Sequence, residues 1–200
     1  MAKGDFFSAL DKASGYMLLN LLWVLLAIPV VTLPAATGGL FAVMTDAVRG
    51  KETDTFYRFF GAMREYWLKS TLIAVADVVV LGLVIFNLGT LPDMELPVFI
   101  MVSIRWVVIL VGLVALAVNL YLWPLMVMYE LPLFDLAEIS LKLVFNHFGW
   151  SLGLLGIAVI AIVFGVTLPG AAVVFVLFSG WVWIICWGAW RVIQQYDDEL

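Results

Sequence analysis

The tripeptide Thr-Leu-Pro occurs three times, at Thr32-Leu33-Pro34, Thr90-Leu91-Pro92 and Thr167-Leu168-Pro169, and each copy separates two long apolar runs. Nothing else in the chain constrains its fold as strongly. A proline pushes the residue before it out of the helical region. It is tolerated at the first position of a new helix, where its missing N–H would have had no partner. Leu-Pro therefore closes one helix and opens the next, and the preceding Thr hydroxyl can satisfy backbone groups left over at the junction. Three such breaks predict three helical hairpins, hence about six membrane helices in 200 residues.

The solvent of these helices is read from composition. Hydrophobic residues make up 65% of the chain and charged residues 12%, and the mean hydropathy is +1.12. A soluble domain carries roughly half apolar and a quarter charged residues, so lipid must cover much of this surface. Crossing a hydrocarbon core about 30 Å thick takes about 20 helical residues. Thr71–Leu91, Val107–Met128, Ser151–Leu168 and Ala171–Trp190 meet that length. These runs are continuous and rich in Leu and Ala, unlike the short alternating strands of a membrane barrel. The predicted fold is all-α: a polytopic transmembrane helical bundle forming a single integral membrane domain over residues 1–200. Its hairpins fall at about 16–48, 70–130 and 150–190. The run Met17–Val31 reads as a retained signal anchor, because Leu33 and Pro34 do not fit a small-residue cleavage site.

Nine of the ten Lys and Arg residues fall on one side of this threading, with only Arg105 nearer the other, and no tip carries a basic residue. Cytoplasmic loops collect Lys and Arg. Both termini are therefore expected in the cytoplasm, with the tips outside. Two runs do not match one bilayer. Ala35–Val48 has about 14 residues, or about 21 Å, and either thins the bilayer or belongs to a re-entrant hairpin. Pro97–Leu131 exceeds one crossing, with Arg105 and Trp106 expected at the outer interface. Gly38 and Gly39 are expected to let the two arms of the first hairpin pack closely.

Between the hairpins lie segments of a different kind. Residues 54–68 place Phe56, Phe60, Met63 and Trp67 on one helical stripe, with Arg58 and Glu65 on another face. Residues 133–148 place Leu136, Ile139, Leu143 and Val144 opposite Asp135, Glu138 and Lys142, and residues 5–15 are a weaker copy. This pattern predicts amphipathic helices at the cytoplasmic interface.

The ordered set Asn20-Leu21-Leu22-Trp23, Leu33-Pro34-Ala35-Ala36-Thr37, Leu40-Phe41-Ala42-Val43 and Val48-Arg49-Gly50-Lys51-Glu52, followed by the aromatic and basic helix to Trp67, resembles the YesL-like family of small bacterial membrane proteins. The resemblance is strong over residues 15–70 and rests on length and hydropathy beyond them. Such proteins are often encoded near sugar-importing ABC transporters. The resemblance therefore implies an accessory role in carbohydrate uptake or its sensing, first as a partner of the importer's permease subunits. The alternatives are a small transporter or channel and a membrane-bound sensor or regulator. It carries no catalytic residue.

The residues themselves offer a few candidate sites. Asp77 lies about 10 Å into the third run, where a carboxylate usually faces protein or a water-filled cavity. It reads either as a proton or cation site, with Arg105 a remote pairing partner, or as a hydrogen-bonded Asp near the inner interface. Asn20, Asn87 and Asn119 occupy three other positions in the runs and either line a polar path or bond neighbouring helices. Arg49, Arg58, Arg64 and Trp67 are candidates for contact with lipid or a partner protein, and Asp46 and Glu130 for contact with Arg49 or Lys69. A homo-oligomer is a further option. His147 and the Trp residues of the last run read as interfacial or packing side chains. No basic stripe fits a nucleic acid, and one Cys with one His does not make a metal site. No protease, hydrolase or phosphate-loop motif is present, so neither an enzyme nor a cofactor is expected.

Overall fold

The computed structural model describes residues 2–90, 97–167 and 177–196. In chain order the helices are α1 (Ala2–Ala27), α2 (Leu33–Val48), α3 (Thr55–Glu65), α4 (Trp67–Thr90), α5 (Val98–Met128), α6 (Leu133–Asn146), α7 (Phe148–Val166) and α8 (Phe178–Ile193). A 3-10 turn, Val30–Thr32, joins α1 to α2. No strand occurs among the described residues.

The first Thr-Leu-Pro opens α2 but does not close α1: Leu33 is itself helical, with φ −53° and ψ −48°, and α1 has already ended at Ala27, ahead of Pro29. Pro34 lies in the first turn of α2. The Thr32 hydroxyl, with one proton to give, lies within hydrogen-bond reach of the carbonyls of Leu26 and Pro29, and the Thr32 N–H already donates to the Pro29 carbonyl. Thr90 is the last residue of α4 and Thr167 caps α7; the Leu-Pro pairs that follow them lie outside the described residues. Residues 5–15 do not form a separate interfacial helix. They continue without a break into the apolar part of α1, because no proline interrupts the helical hydrogen bonds there.

Among the described residues, four stretches are long and apolar enough to cross a membrane: Val30–Val48, Trp67–Thr90, Val98–Met128 and Phe148–Gly165. Ser14–Ala27 and Phe178–Ile193 are apolar but shorter. Burial divides the set. The first stretch is mostly covered by protein, whereas the most apolar 18-residue windows of Trp67–Thr90 and Val98–Met128 hold almost no fully buried residue. In α5, Phe99, Trp106, Leu110 and Leu116 face outward, and from Ala117 onward the same helix enters the core.

The core is centred on α2, which is buried from Ala35 to Asp46 apart from Thr37 and touches α1, α3, α4, α5 and α8. Its small residues allow this. A Cβ on Gly39 would sit 2.8 Å from the Phe59 carbonyl oxygen and 2.9 Å from its ring, so α3 crosses α2 in near backbone contact. A Cβ on Gly38 would meet Ser70 of α4 at an ordinary 3.5 Å. The glycine pair thus seats α3 and α4, not the two arms of the first hairpin. Those arms meet instead through Trp23, whose Nε1 donates to Thr37 Oγ1 at 3.3 Å.

The interfacial segment 54–68 is also rearranged. Asp54 caps α3 by accepting from the Tyr57 N–H at 2.8 Å, and a break at Tyr66 separates α3 from α4. The buried stripe is Phe59, Ala62 and Tyr66, whereas Phe56, Phe60 and Trp67 are exposed. The helix carries two apolar stripes, and the cleft left by Gly39 selects the one containing Phe59. In α6 the expected face is buried through Leu136, Leu143 and Val144, and the exposed Glu138 and Lys142 pair at 2.7 Å. That partner holds the Glu138 carboxyl below its ordinary range.

Candidate functional site

The polar cluster between α4 and α5 is built on an amide with three bonds. Asn119 Nδ2 donates to Asp77 Oδ1 at 2.7 Å and to the Ala115 carbonyl, one turn back, at 3.0 Å. Trp123, one turn onward, donates from Nε1 to Asn119 Oδ1 at 2.9 Å. An indole N–H can only donate. It therefore fixes which end of the amide is the acceptor and turns the NH2 toward Asp77. The indole is itself held by stacking on Phe41 of α2, with centroids 5.4 Å apart. A line of contacts thus runs from the core helix through Trp123 and Asn119 to a carboxylate on α4. It can hold α4 against α5 in register, and it presents one carboxylate to a proton or a cation.

Asp77 and Asn119 are therefore brought together, and the other two asparagines are elsewhere. Asn20 is fully buried and clamps α1 to α8: its Nδ2 donates to Ser179 Oγ at 2.6 Å and its Oδ1 accepts from the Ser179 N–H at 2.8 Å. Asn87 donates to its own helix at the Leu83 carbonyl, 2.8 Å away. Its only described surroundings of note are valines and Leu83, around a cavity of about 160 Å³ between α4 and α5. The three asparagines do not line one path. Arg105 makes no ion pair with Asp77.

The basic and aromatic candidates also separate. Arg58 Nε contacts Asp46 Oδ2 at 2.7 Å, tying α3 to α2, with Glu65 4.0 Å from the same guanidinium. Asp46 thus takes Arg58 as its partner instead of Arg49. Lys69 donates to the Leu131 carbonyl at 3.0 Å. Beside this cluster the Tyr66 hydroxyl is pushed up to about 12, first by burial and then by Glu65. Arg49 lies over the Trp190 ring at 4.8 Å, and Arg191 over Trp187 at 4.9 Å. Arg64 and Trp67 line a surface groove of about 410 Å³ together with Val31, Thr32 and Ala35. A groove of that size places Arg64 much closer to the first Thr-Leu-Pro than a bilayer's thickness.

Sequence reasoning missed Trp123, Ser179 and the buried pair Tyr121–Ser151, whose hydroxyls lie 2.8 Å apart. The spacing of Asn119 and Trp123 is one helical turn, a signal that was there to be read. The partners of Asn20 and Tyr121 are distant in sequence and left none. Among the described residues no cluster of His, Cys, Asp or Glu could hold a metal ion, and every buried polar side-chain atom has a partner.

An all-helical chain with four apolar helices of membrane-crossing length and broad outward apolar surface fits an integral membrane protein. Residues 16–88, less than half of the chain, match the model of a family described as a protein of unknown function, DUF624. No curated protein and no solved structure matches the chain.

Proposed function

We propose that this chain is a non-transporting accessory protein of a bacterial plasma membrane that packs against a larger membrane complex. The observation that carries the reading is the contrast between its interior and its α4–α5 hairpin. Inside, every fully buried polar side-chain atom among the described residues already has a hydrogen-bond partner, and Asp77 on α4 is half-buried and held by Asn119. Outside, Val78, Leu81, Ile85 and Phe86 of α4 and Val98, Phe99, Trp106 and Leu110 of α5 project from the core on all sides. Such a hairpin can pack along another protein's membrane helices as readily as along lipid.

The resemblance to YesL-like proteins alone is the reason to name the partner as the permease subunits of a carbohydrate ABC importer; the family matched over residues 16–88 is one of unknown function. The arrangement proposed is six membrane helices in three hairpins, with α4, α5, α7 and the last run crossing fully. The first hairpin, α1–α2, re-enters instead of crossing, because polar α3 crosses the middle of α2 at Gly39 and Arg64 shares a groove with Thr32. Four full crossings keep both termini on one side. Arg49, Lys51 and Arg191 favour that side being the cytoplasm. Tagged protein extracted in mild detergent is expected to carry permease subunits with it; consistent isolation alone would overturn the accessory reading.

A second reading has one observation in its favour, the carboxylate of Asp77 held between two apolar helices. In it the chain conducts protons or cations, alone or as a homo-oligomer. Reconstituted vesicles would then show a flux that Asp77→Asn abolishes. Equal flux in that variant would remove Asp77 from the mechanism.

A further inference from the structure

We propose that the groove between α2, α3 and α4 is a binding site for one anionic phospholipid. At about 410 Å³ it falls within the range of small-molecule sites, roughly 300–1,000 Å³. Its walls are Val31, Ala35, Phe60, Met63 and Trp67, and its one charged group is Arg64. Phe60 and Trp67 are 49% and 58% exposed, so the groove is open along its length.

The chemistry of the lining selects the ligand. An acyl chain asks only for apolar walls and gains by leaving no void beside them. A phosphate asks for a cation, and a guanidinium presents paired N–H donors that match phosphate oxygens. Arg64 is the member of its neighbourhood that can supply them. Arg58 is engaged by Asp46 and Glu65, Arg49 lies on Trp190, and Lys69 is held by the Leu131 carbonyl. Arg64 has no ion pair among the described residues. A tail-sized apolar groove with one uncommitted cation at its edge is complementary to a lipid that carries net negative charge, such as phosphatidylglycerol. Trp67 adds an aromatic side chain of the kind enriched at headgroup depth. The break between α3 and α4 at Tyr66 opens the angle in which the chain lies.

This site rests on the membrane reading above, and the test separates the two. Purified protein in mild detergent is titrated with phosphatidylglycerol or phosphatidylcholine, and bound lipid is counted by native mass spectrometry. The native protein should retain one phosphatidylglycerol, with a preference over phosphatidylcholine of about fivefold, the effect of one cation at a membrane surface. Arg64→Gln, an exposed change that leaves the core untouched, should lose the preference, and Arg64→Lys should keep part of it. Thr71→Trp, which fills the groove, should lose the tightly held lipid of either kind while Arg64 remains. Equal preference in Arg64→Gln, or displacement of the lipid by inorganic phosphate alone, would overturn the site. Absence of bound phosphatidylglycerol in the native protein would overturn the site alone; release of the protein from washed membranes by carbonate would overturn the membrane reading.

Discussion

Asn119 reaches across from α5 and donates to Asp77 of α4 at 2.7 Å, while Trp123 donates into the opposite end of the same amide at 2.9 Å. The two bonds fix both the orientation of the amide and the register of the α4–α5 pair. Hydrogen bonds between membrane helices contribute about 1 kcal/mol each, and often less. In a double-mutant cycle, Asp77→Ala and Asn119→Ala should therefore couple by about 1 kcal/mol, read from unfolding in mixed micelles. Trp123→Phe should destabilise the protein and weaken that coupling, because Asn119 is then free to turn. A coupling of zero would mean that the pair does not form in lipid.

Asn20 and Ser179 give an asymmetric test. Asn20→Ala removes both bonds of the α1–α8 clamp and strands the buried Ser179 N–H, a penalty of about 1–3 kcal/mol. Ser179→Ala removes one bond and keeps the other. The expected order of stability is native, then Ser179→Ala, then Asn20→Ala. Equal losses would show that the backbone N–H bond contributes nothing.

Adjacent glycines should respond differently to one methyl group. Gly39→Ala drives a Cβ against the Phe59 backbone, where nothing flexible can yield, and should cost about 1–3 kcal/mol. Gly38→Ala meets the Ser70 side chain at an ordinary 3.5 Å and should leave stability unchanged or raise it by up to about 1 kcal/mol, the helix preference for Ala over Gly. Thermal unfolding of the two variants in one detergent decides the matter. Equal effects would contradict the crossing of α3 over α2.

Tyr66 supplies a pH dependence. An unfolded tyrosine ionises near pH 10, and in the folded protein Tyr66 keeps its proton up to about 12. The unfolded state therefore loses this proton first. The contribution to stability is complete below about pH 10 and is lost as pH rises through about 12. Titrating the tyrosinate absorbance should show a late step that Tyr66→Phe removes, and the alkaline fall in stability should be shallower in that variant.

How far the sequence could be read follows from what each signal encodes. Pro34 acts within one turn of chain, so the start of α2 was legible from the residues themselves, whereas the end of α1 at Ala27 lies ahead of Pro29 and outside the tripeptide. Hydropathy marked the long apolar helices, because length and composition are local properties. The placement of α3 was not legible. Phe56, Phe60 and Met63 make as good a stripe as Phe59, Ala62 and Tyr66, and only the cleft at Gly39 in another helix decides between them. Asp77 and Asn119 were singled out separately for being polar in apolar runs. Their pairing depends on the register of α4 against α5, which periodicity within either helix does not specify. Asn20 belonged to the same list on the same grounds, and its partner Ser179 lies at the far end of the chain.

The re-entrant first hairpin and the sidedness of the bundle can be separated by cysteine labelling. Cys186 is the single cysteine, and it is buried beside Thr45, with sulfur and hydroxyl 3.3 Å apart, so Cys186→Ser provides a background that preserves the contact. In that background Thr32→Cys should resist a membrane-impermeant maleimide added to intact cells, whereas a full crossing of α2 would expose it.

The most direct test of the whole account places the reporter at Lys51, in the turn between α2 and α3. In the same background, Lys51→Cys in washed membranes should stay with the lipid after carbonate extraction and should react with the impermeant maleimide only once the cells are lysed. Reaction in intact cells, or release of the protein into the soluble fraction, would contradict it.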